Sequence, residues 1–439
     1  MNTATGPPGK ASARRRIALV LLAPIAAAGF GLAALAWLNL RGEAPVAEPA
    51  AAFEATPAQV ERGRYLALAG HCAGCHTQRG GAPYAGGLGI QTPFGTVYTS
   101  NLTPDPQTGI GAWSSSEFWR AMHNGRSRNG RLLYPAFPYP NYTHVTRADS
   151  DAIFAYLRSL PAVAQANRPH ELRFPYDSAP ALAMWRALFF KPGQFEPDTQ
   201  QSADWNRGAY LVQGLGHCNA CHASRNALGA TSGSLDLSGG LIPVQNWYAP
   251  SLASAHEAGV AEWRLSDIVD LLKTGVSSQG TVVGPMAEVV QNSTQHWTDG
   301  DLLAMATYLK ALPPSQDERA PVTVAPPLPD SRGAKLYKAH CAQCHGDQGE
   351  GATKVYPALA GNRAVTMASP ANLVRMVLAG GFAPSTKGNP RPYGMPPFAM
   401  VFSNDDTAAV VSYIRSAWGN QGQAVSTLEV IQLRNGLQY

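Results

Sequence analysis

The chain has little charge for its length. Asp, Glu, Lys and Arg make up 14% of the 439 residues, and the formal net charge is +5. Residues 1–50 carry five basic and two acidic side chains, which leaves a net charge of only +2 on the rest of the chain. A nucleic-acid-binding face needs a concentrated basic patch, so we expect no nucleic-acid partner.

The sequence also lacks the motifs of common catalytic sites. It contains no glycine-rich nucleotide-binding motif and no nucleophile elbow, and all six cysteines belong to one repeated motif. These absences argue against a nucleotide-dependent enzyme and against a hydrolase of the nucleophile-elbow type. Hydrophobic residues reach 45%, which excludes a disordered chain, and the length predicts about three domains.

One long uncharged run lies near the N-terminus. Residues 17–38 follow three arginines and contain no charged side chain, and 22 residues are enough for a helix that crosses a bilayer. The positive-inside rule keeps the arginines in the cytoplasm and the remaining chain in the periplasm. A cleaved signal peptide is the alternative, but its apolar region usually has only about 7–15 residues. We therefore predict an anchor in a bacterial inner membrane.

Three repeats follow, and each is built around Cys-x-x-Cys-His. The motifs span 72–76, 218–222 and 341–345, each behind an Arg-Gly-x-x-Leu lead-in. Each repeat closes with a segment of helical period that begins near a helix-capping residue: Thr146, Thr298 or Ser403. The repeats are therefore predicted to be three copies of one helical unit.

Cys-x-x-Cys-His is the attachment motif of c-type haem. Its two thiols add to the vinyl groups, and its imidazole reaches the iron. A thioredoxin-like pair or a zinc knuckle explains one Cys-x-x-Cys, but neither needs a His after all three. The sequence thus predicts a cytochrome with three covalently bound haem c groups. The predicted attachment and proximal ligand residues are Cys72, Cys75 and His76; Cys218, Cys221 and His222; and Cys341, Cys344 and His345.

A low-spin electron carrier commonly has a methionine sulfur as its second axial ligand. In the third repeat, Met395 lies in a proline-rich loop 50 residues after His345, with Met400 as its rival. In the second repeat, Met286 lies 64 residues after His222. We predict that Met286 and Met395 are axial ligands.

The first repeat departs from this pattern. Its equivalent loop contains Phe137, which cannot ligate iron. Met122, His144 or its neighbour His123, and an open five-coordinate site remain as alternatives. The sixth ligand of the first haem is therefore left unassigned.

The predicted fold class is all-α, with three tandem cytochrome c domains behind the N-terminal segment. Short hairpins are expected only in two glycine-rich inserts, 80–98 and 232–247. An apolar stretch between the first two domains predicts a packing helix, and no structure is predicted for the C-terminal tail. The predicted boundaries are 1–40 (anchor or signal), 41–56 (linker), 57–163 (domain 1), 164–204 (linker with packing helix), 205–313 (domain 2), 314–330 (proline-rich linker), 331–420 (domain 3) and 421–439 (tail).

Several longer strings around the first motif are more specific than Cys-x-x-Cys-His. They are Gly86-Gly87-Leu88, Thr92-Pro93-Phe94-Gly95-Thr96, Asn101-Leu102-Thr103-Pro104-Asp105, Thr108-Gly109-Ile110-Gly111, Leu133-Tyr134-Pro135 and Pro138-Tyr139-Pro140. Over about residues 55–420 the sequence resembles the triheme cytochrome c subunit of bacterial membrane-bound alcohol and gluconate-type dehydrogenases. It is also similar to the cytochrome partners of exported molybdenum hydroxylases, of the aldehyde- or nicotinate-oxidising type.

The resemblance implies a dehydrogenase catalytic subunit as the partner, with a molybdopterin, quinone or flavin cofactor. It also implies electron transfer through three haems to ubiquinone or a terminal oxidase, and it matches Met286 and Met395 to axial positions. Phe137 departs from the Met of the alcohol and gluconate subgroup and favours the molybdenum-hydroxylase relatives. The predicted anchor departs from the cleaved signals expected of these subunits.

Two other functions remain open. An open first haem would suit a stand-alone haem enzyme of the peroxidase type, for which Phe137 is the one supporting feature. A cytochrome subunit of a terminal oxidase is the second alternative, and it predicts a copper–haem partner. The absence of catalytic motifs and the family resemblance favour the carrier for a dehydrogenase.

Overall fold

A computed structural model describes residues 10–43, 45–46, 53–233, 235–315 and 324–436. Over these residues the chain is mostly helical, and three hydrophobic cores follow one another along it, one for each Cys-x-x-Cys-His motif. The only sheets in this part of the chain are small and antiparallel. Two of them are hairpins in the glycine-rich inserts, where the sequence predicted them.

The first repeat carries a hairpin that gains a third strand from the segment leading to the second repeat. Ile90 lies opposite Val97 in the hairpin, and Gly95 pairs onward with Leu172. The elements from the N-terminus to the end of this segment are α1 (Lys10–Leu40), α2 (Pro57–Ala69), α3 (Cys72–His76), β1 (Gly89–Thr92), β2 (Gly95–Tyr98), α4 (Ser115–Asn124), α5 (Tyr139–Tyr142), α6 (Arg147–Arg158), β3 (Glu171–Leu172) and α7 (Ala179–Phe189).

The second and third repeats follow the same order of an opening helix, a motif helix, a hairpin-bearing loop and a closing helix. The second contains α8 (Ala203–Tyr210), a π-helical turn (Leu211–Leu215), α9 (Asn219–His222), β4 (Gly240–Ile242), β5 (Trp247–Ala249), α10 (Leu265–Thr274), α11 (Pro285–Asn292), a 3₁₀ turn (Thr294–His296) and α12 (Asp299–Lys310). The third contains α13 (Arg332–His340), α14 (Ala342–His345), α15 (Arg363–Thr366), α16 (Ala371–Ala379), β6 (Gly381–Phe382), β7 (Gly394–Met395), α17 (Asn404–Ser416) and α18 (Thr427–Asn435).

In every repeat the opening helix crosses the closing helix at the glycine of the Arg-Gly lead-in. A methyl group added to Gly63, Gly208 or Gly333 would lie within 2.3 Å of a carbonyl oxygen of the closing helix. Backbone at that distance leaves no room for any side chain, so glycine is required by the close approach. The helix pairs that cross in this way are α2 with α6, α8 with α12, and α13 with α17.

The arginine of the same lead-in pairs with an aspartate in the first turn of the closing helix. Arg207 forms two 2.8 Å hydrogen bonds to Asp301, and Arg332 forms one of 2.8 Å to Asp406. Arg62 binds Asp149 in the same way. The backbone N–H of each aspartate donates to the helix-capping hydroxyl, so the pair also holds the start of the closing helix.

The N-terminal helix α1 packs against α7, the helix predicted between the first two repeats. The amide of Asn39 is buried, donates to the carbonyl of Ala183 at 3.0 Å and accepts from Arg186 at 3.1 Å. Nearby, Arg126 donates to Glu43 at 2.8 Å. These contacts join the end of α1 to the first repeat.

The predicted membrane span, 17–38, falls within α1, but the side chains of residues 10–22 and 25 lie outside the described ones. Among the residues that the structure does describe, no helix combines the length and the apolar character that a membrane crossing requires.

The third repeat packs on the second and is completed by the tail. Asn372 exchanges two hydrogen bonds with the backbone of Tyr248, at 2.9 and 2.7 Å. Helix α18 lies against α16 and α17 and buries Val430 completely. The tail, for which the sequence predicted no structure, is therefore part of the third core.

We expect Gly333→Ala to destabilise the chain by about 1–3 kcal/mol, because the new methyl group would lie 2.3 Å from the carbonyl oxygen of Ala409 and force the two helices apart. Urea unfolding of the full chain, followed by circular dichroism, measures the effect. Gly300→Ala in α12 is the control, since no atom lies within 4 Å of its added methyl. Equal unfolding curves for the two variants would contradict the prediction.

Candidate haem sites

Each Cys-x-x-Cys-His motif forms a short helix at the end of its opening helix. The first cysteine of each motif packs into the core of its repeat, and the second is exposed. Burial raises the pKa of Cys72 to about 12 and that of Cys341 to about 11, so both thiols are protonated at neutral pH.

The histidine of each motif is oriented by a hydrogen bond from its Nδ1 to a backbone carbonyl. The distance is 2.7 Å from His76 to Ser100, 2.7 Å from His222 to Pro250 and 3.0 Å from His345 to Pro357. With Nδ1 bound to an acceptor, Nε2 is the nitrogen left for a metal.

Burial lowers the pKa of all three histidines below the usual range, although the carbonyl bond works in the opposite direction. The imidazoles are therefore neutral at neutral pH. A neutral imidazole is the form that ligates iron.

A glycine packs against each of the backbone segments that supply these carbonyls. Gly86, Gly239 and Gly351 have φ of +77°, +78° and +65°, and each donates its N–H to the carbonyl of the motif histidine at 2.8 Å. Their Cα atoms lie against the backbone of the residue that accepts from Nδ1, so an added methyl would lie within 2.8 Å of atoms in that segment. The same arrangement therefore occurs in all three repeats.

The sequence did not show these three glycines to be equivalent. They follow the motif histidine by 10, 17 and 6 residues, so no fixed spacing connects them. Their only sequence signal is a glycine in the loop after each motif, and the chain has 43 glycines.

These residues fit a covalently attached haem c. Each repeat offers two thiols on one helical turn and a neutral imidazole whose second nitrogen is held by the protein. In such a site the cysteines would carry the ring, the histidine would ligate the iron, and the iron would supply one-electron redox chemistry.

The two predicted methionine ligands are both half-buried against the core of their repeat. Met286 lies in the first turn of α11, and Met395 lies on β7. Met400, the rival of Met395, is 98% exposed. Of these two candidates, only Met395 therefore packs against the core.

The structure places Phe137 at the position of Met286. Helices α4 and α10 both end at a left-handed glycine, Gly125 and Gly275. The carbonyl of that glycine accepts from Leu133 in the first repeat and from Val282 in the second, at 2.8 and 2.9 Å. Phe137 and Met286 each follow that donor by four residues, so they occupy equivalent positions.

The alternative ligands named for the first repeat lie in its interior. Met122 is 5% exposed, with its sulfur 3.9 Å from the hydroxyl of Ser150 on α6. His123 is stacked on Trp119 with ring centroids 4.5 Å apart. His144 is half-buried, and this partial burial lowers its pKa. Met122 therefore packs between α4 and α6, as expected of a core methionine.

Comparison with known proteins identifies relatives of this chain. The sequence profile of the family described as cytochrome c matches residues 60–161 and 331–418. The cytochrome c subunit of a quinone alcohol dehydrogenase from Gluconacetobacter polyoxogenes is 38% identical over 400 residues, which are 87% of this chain and 85% of that protein.

Two further relatives come from other dehydrogenases. The gluconate 2-dehydrogenase cytochrome c subunit of Pantoea cypripedii is 37% identical over 87% of this chain and 90% of its own length. One of the subunits of nicotinate dehydrogenase from Pseudomonas putida is 41% identical over 90% of this chain, but the match covers only 33% of that protein.

We expect Gly239→Ala to impair haem attachment at the second motif. The added methyl would lie 2.4 Å from the N–H nitrogen of Ser251 and displace the Pro250 carbonyl that orients His222. Mass spectrometry of the peptide that carries each motif measures attachment. Gly130→Ala is the control, because its φ is +82° but no atom lies within 4 Å of the new methyl. Full attachment in Gly239→Ala would refute this role of the glycine.

Proposed function

The chain belongs to the cytochrome c subunits of bacterial alcohol, gluconate and fructose dehydrogenases, and from that premise we propose that it binds three haem c groups and carries electrons out of a dehydrogenase. The donor is a separate catalytic subunit with a molybdopterin, quinone or flavin cofactor. The acceptor is ubiquinone or a terminal oxidase. The chain itself does not oxidise the substrate.

One observation carries this proposal. The same set of contacts recurs in all three repeats: a first thiol packed in or against the core, a neutral histidine whose Nδ1 binds a backbone carbonyl, and a glycine packed against the segment that supplies that carbonyl. A degenerate motif that had lost its cofactor would not need this support. Three supported sites in one chain favour a multi-step electron relay over a single catalytic centre.

The location that we propose is the periplasmic side of the bacterial inner membrane. Residues 17–38 form an uncharged segment after three arginines, and they serve as the anchor in this proposal. The donor subunit then also lies in the periplasm.

The catalytic subunit that copurifies with this chain would identify the reaction that supplies the electrons. We expect purification of the tagged full chain in mild detergent to retain a dehydrogenase catalytic subunit together with its molybdopterin, quinone or flavin cofactor. Identification of the retained proteins and cofactors also names the substrate class. Recovery of a copper–haem oxidase subunit instead would assign the protein to the terminal end of respiration and contradict the proposed donor.

The proposed axial methionine of the third repeat can be tested with two matched substitutions near each other in the sequence. We expect Met395→Leu to lower the reduction potential of one haem, because loss of the thioether removes the ligand that favours the reduced state. Met400→Leu should change nothing, since that side chain is 98% exposed. A redox titration followed in the haem absorption bands measures both. Equal potentials in Met395→Leu and the wild type would exclude Met395 as a ligand.

A second candidate function has one observation in its favour. Phe137 lies where the second repeat has Met286, and phenylalanine cannot ligate iron. A five-coordinate first haem would suit a ligand-binding or peroxidase-like role. Binding of carbon monoxide by one haem of the resting protein, lost in Phe137→Met, would support this role. If no haem binds carbon monoxide, this second function is contradicted and electron transfer remains the proposed function.

A further inference from the structure

The first two repeats are joined by a reciprocal exchange of tyrosines. The hydroxyl of Tyr65, in the first repeat, donates to Asp301 of the second at 2.5 Å. The hydroxyl of Tyr210, in the second repeat, donates to Asp149 of the first at 2.6 Å. Each aspartate is the one already bound by the lead-in arginine of its own repeat.

Each tyrosine hydroxyl also accepts from the first turn of the closing helix that it reaches. The backbone N–H of Thr298 donates to Tyr65 at 3.3 Å, and that of Thr146 donates to Tyr210 at 3.2 Å. One hydroxyl therefore satisfies both a carboxylate and a free N–H at a helix start. The two contacts are therefore reciprocal: each repeat supplies one tyrosine and one aspartate.

The segments that lead into the first two Cys-x-x-Cys-His motifs also lie close together. Ala69, just before the first motif, packs in the core of the second repeat, and Leu215, just before the second motif, packs in the core of the first. The hydroxyl of Ser293 donates to the carbonyl of Ala69 at 2.8 Å. The ring of His217 lies 5.7 Å from that of Tyr142 in the first repeat.

The third repeat keeps the arginine–aspartate pair but not the tyrosine. Lys335 stands at the position of Tyr65 and Tyr210. Arg332 pairs with Asp406, whose other carboxylate oxygen accepts from Ser403 of the same repeat. The third repeat contacts the second elsewhere, through Asn372 and Tyr248. The tyrosine exchange thus distinguishes the first two repeats from the third.

We propose that Tyr65 and Tyr210 are positioning residues that fix the distance between the haem sites of the first two repeats, so that these two sites act as one electron-exchanging pair. The inference rests on the proposed binding of three haems. Both tyrosines bind an aspartate of the other repeat. They act through Asp301 and Asp149, which hold the closing helices and with them the facing attachment loops.

The test compares Tyr65→Phe, Tyr210→Phe and the double variant in the full chain with its haems. Phenylalanine keeps the packing of the ring and removes only the hydroxyl. A hydrogen bond to a charged partner is worth roughly a 10- to 100-fold change in an equilibrium. Hydrogen–deuterium exchange at the starts of α6 and α12 should therefore accelerate by roughly that factor per substitution if the interface opens more often.

Pulsed electron paramagnetic resonance on the ferric protein supplies the readout specific to positioning. We expect the double variant to broaden the two iron–iron distances that involve the first haem. The distance between the second and third haems should stay unchanged, because the third repeat remains packed on the second. Tyr98→Phe is the control, because its hydroxyl binds Arg168 and Glu171 in the segment that follows the first repeat, and none of its described contacts reaches the second repeat. This control should leave all three distances as they are in the wild type.

Two results would overturn the inference. One is a double variant in which all three iron–iron distance distributions are as narrow as in the wild type. The tyrosines would then stabilise the chain without positioning the haem sites. The other is broadening of all three distances together, which would mean general loosening of the chain. Fewer than three haems per chain by the pyridine haemochrome assay would instead refute the proposed function, so the two failures are distinguishable.

Discussion

The close crossing of the opening and closing helices is the contact on which each repeat depends. At that point the backbones approach so closely that only glycine fits, and an arginine–aspartate pair fixes the start of the closing helix. The Cys-x-x-Cys-His motif follows directly at the end of the opening helix. The position of the two thiols relative to the core therefore follows from the packing of these helices.

The same crossing also organises the contacts between repeats. Because the aspartate that binds the lead-in arginine lies at the surface of its repeat, a tyrosine three residues after that arginine can reach the aspartate of a neighbour. In the first two repeats this produces a symmetric exchange. In the third, where Lys335 replaces the tyrosine, the chain uses a different surface, and the tail completes the core.

Much of the site could be predicted from the sequence, because covalent haem attachment imposes a short and rigid pattern. Local spacing was enough to predict the three thiol pairs and the three motif histidines. It also showed the contrast between Met286 and Phe137. The carbonyls of Ser100, Pro250 and Pro357 were not, since they belong to the backbone, which any residue type supplies. The supporting glycines were missed for a similar reason, because the loops that bring them back differ in length.

The sequence by itself determined the chemistry: three Cys-x-x-Cys-His motifs in helical repeats, with an uncharged N-terminal segment and the family resemblance carried by the strings around the first motif. Only the tertiary structure decided which groups orient the histidines and how the repeats are joined. Those contacts connect residues that are 12 to 236 positions apart. Spacing along a chain specifies what one helical turn can hold, whereas contacts over such distances exist only after the helices have packed.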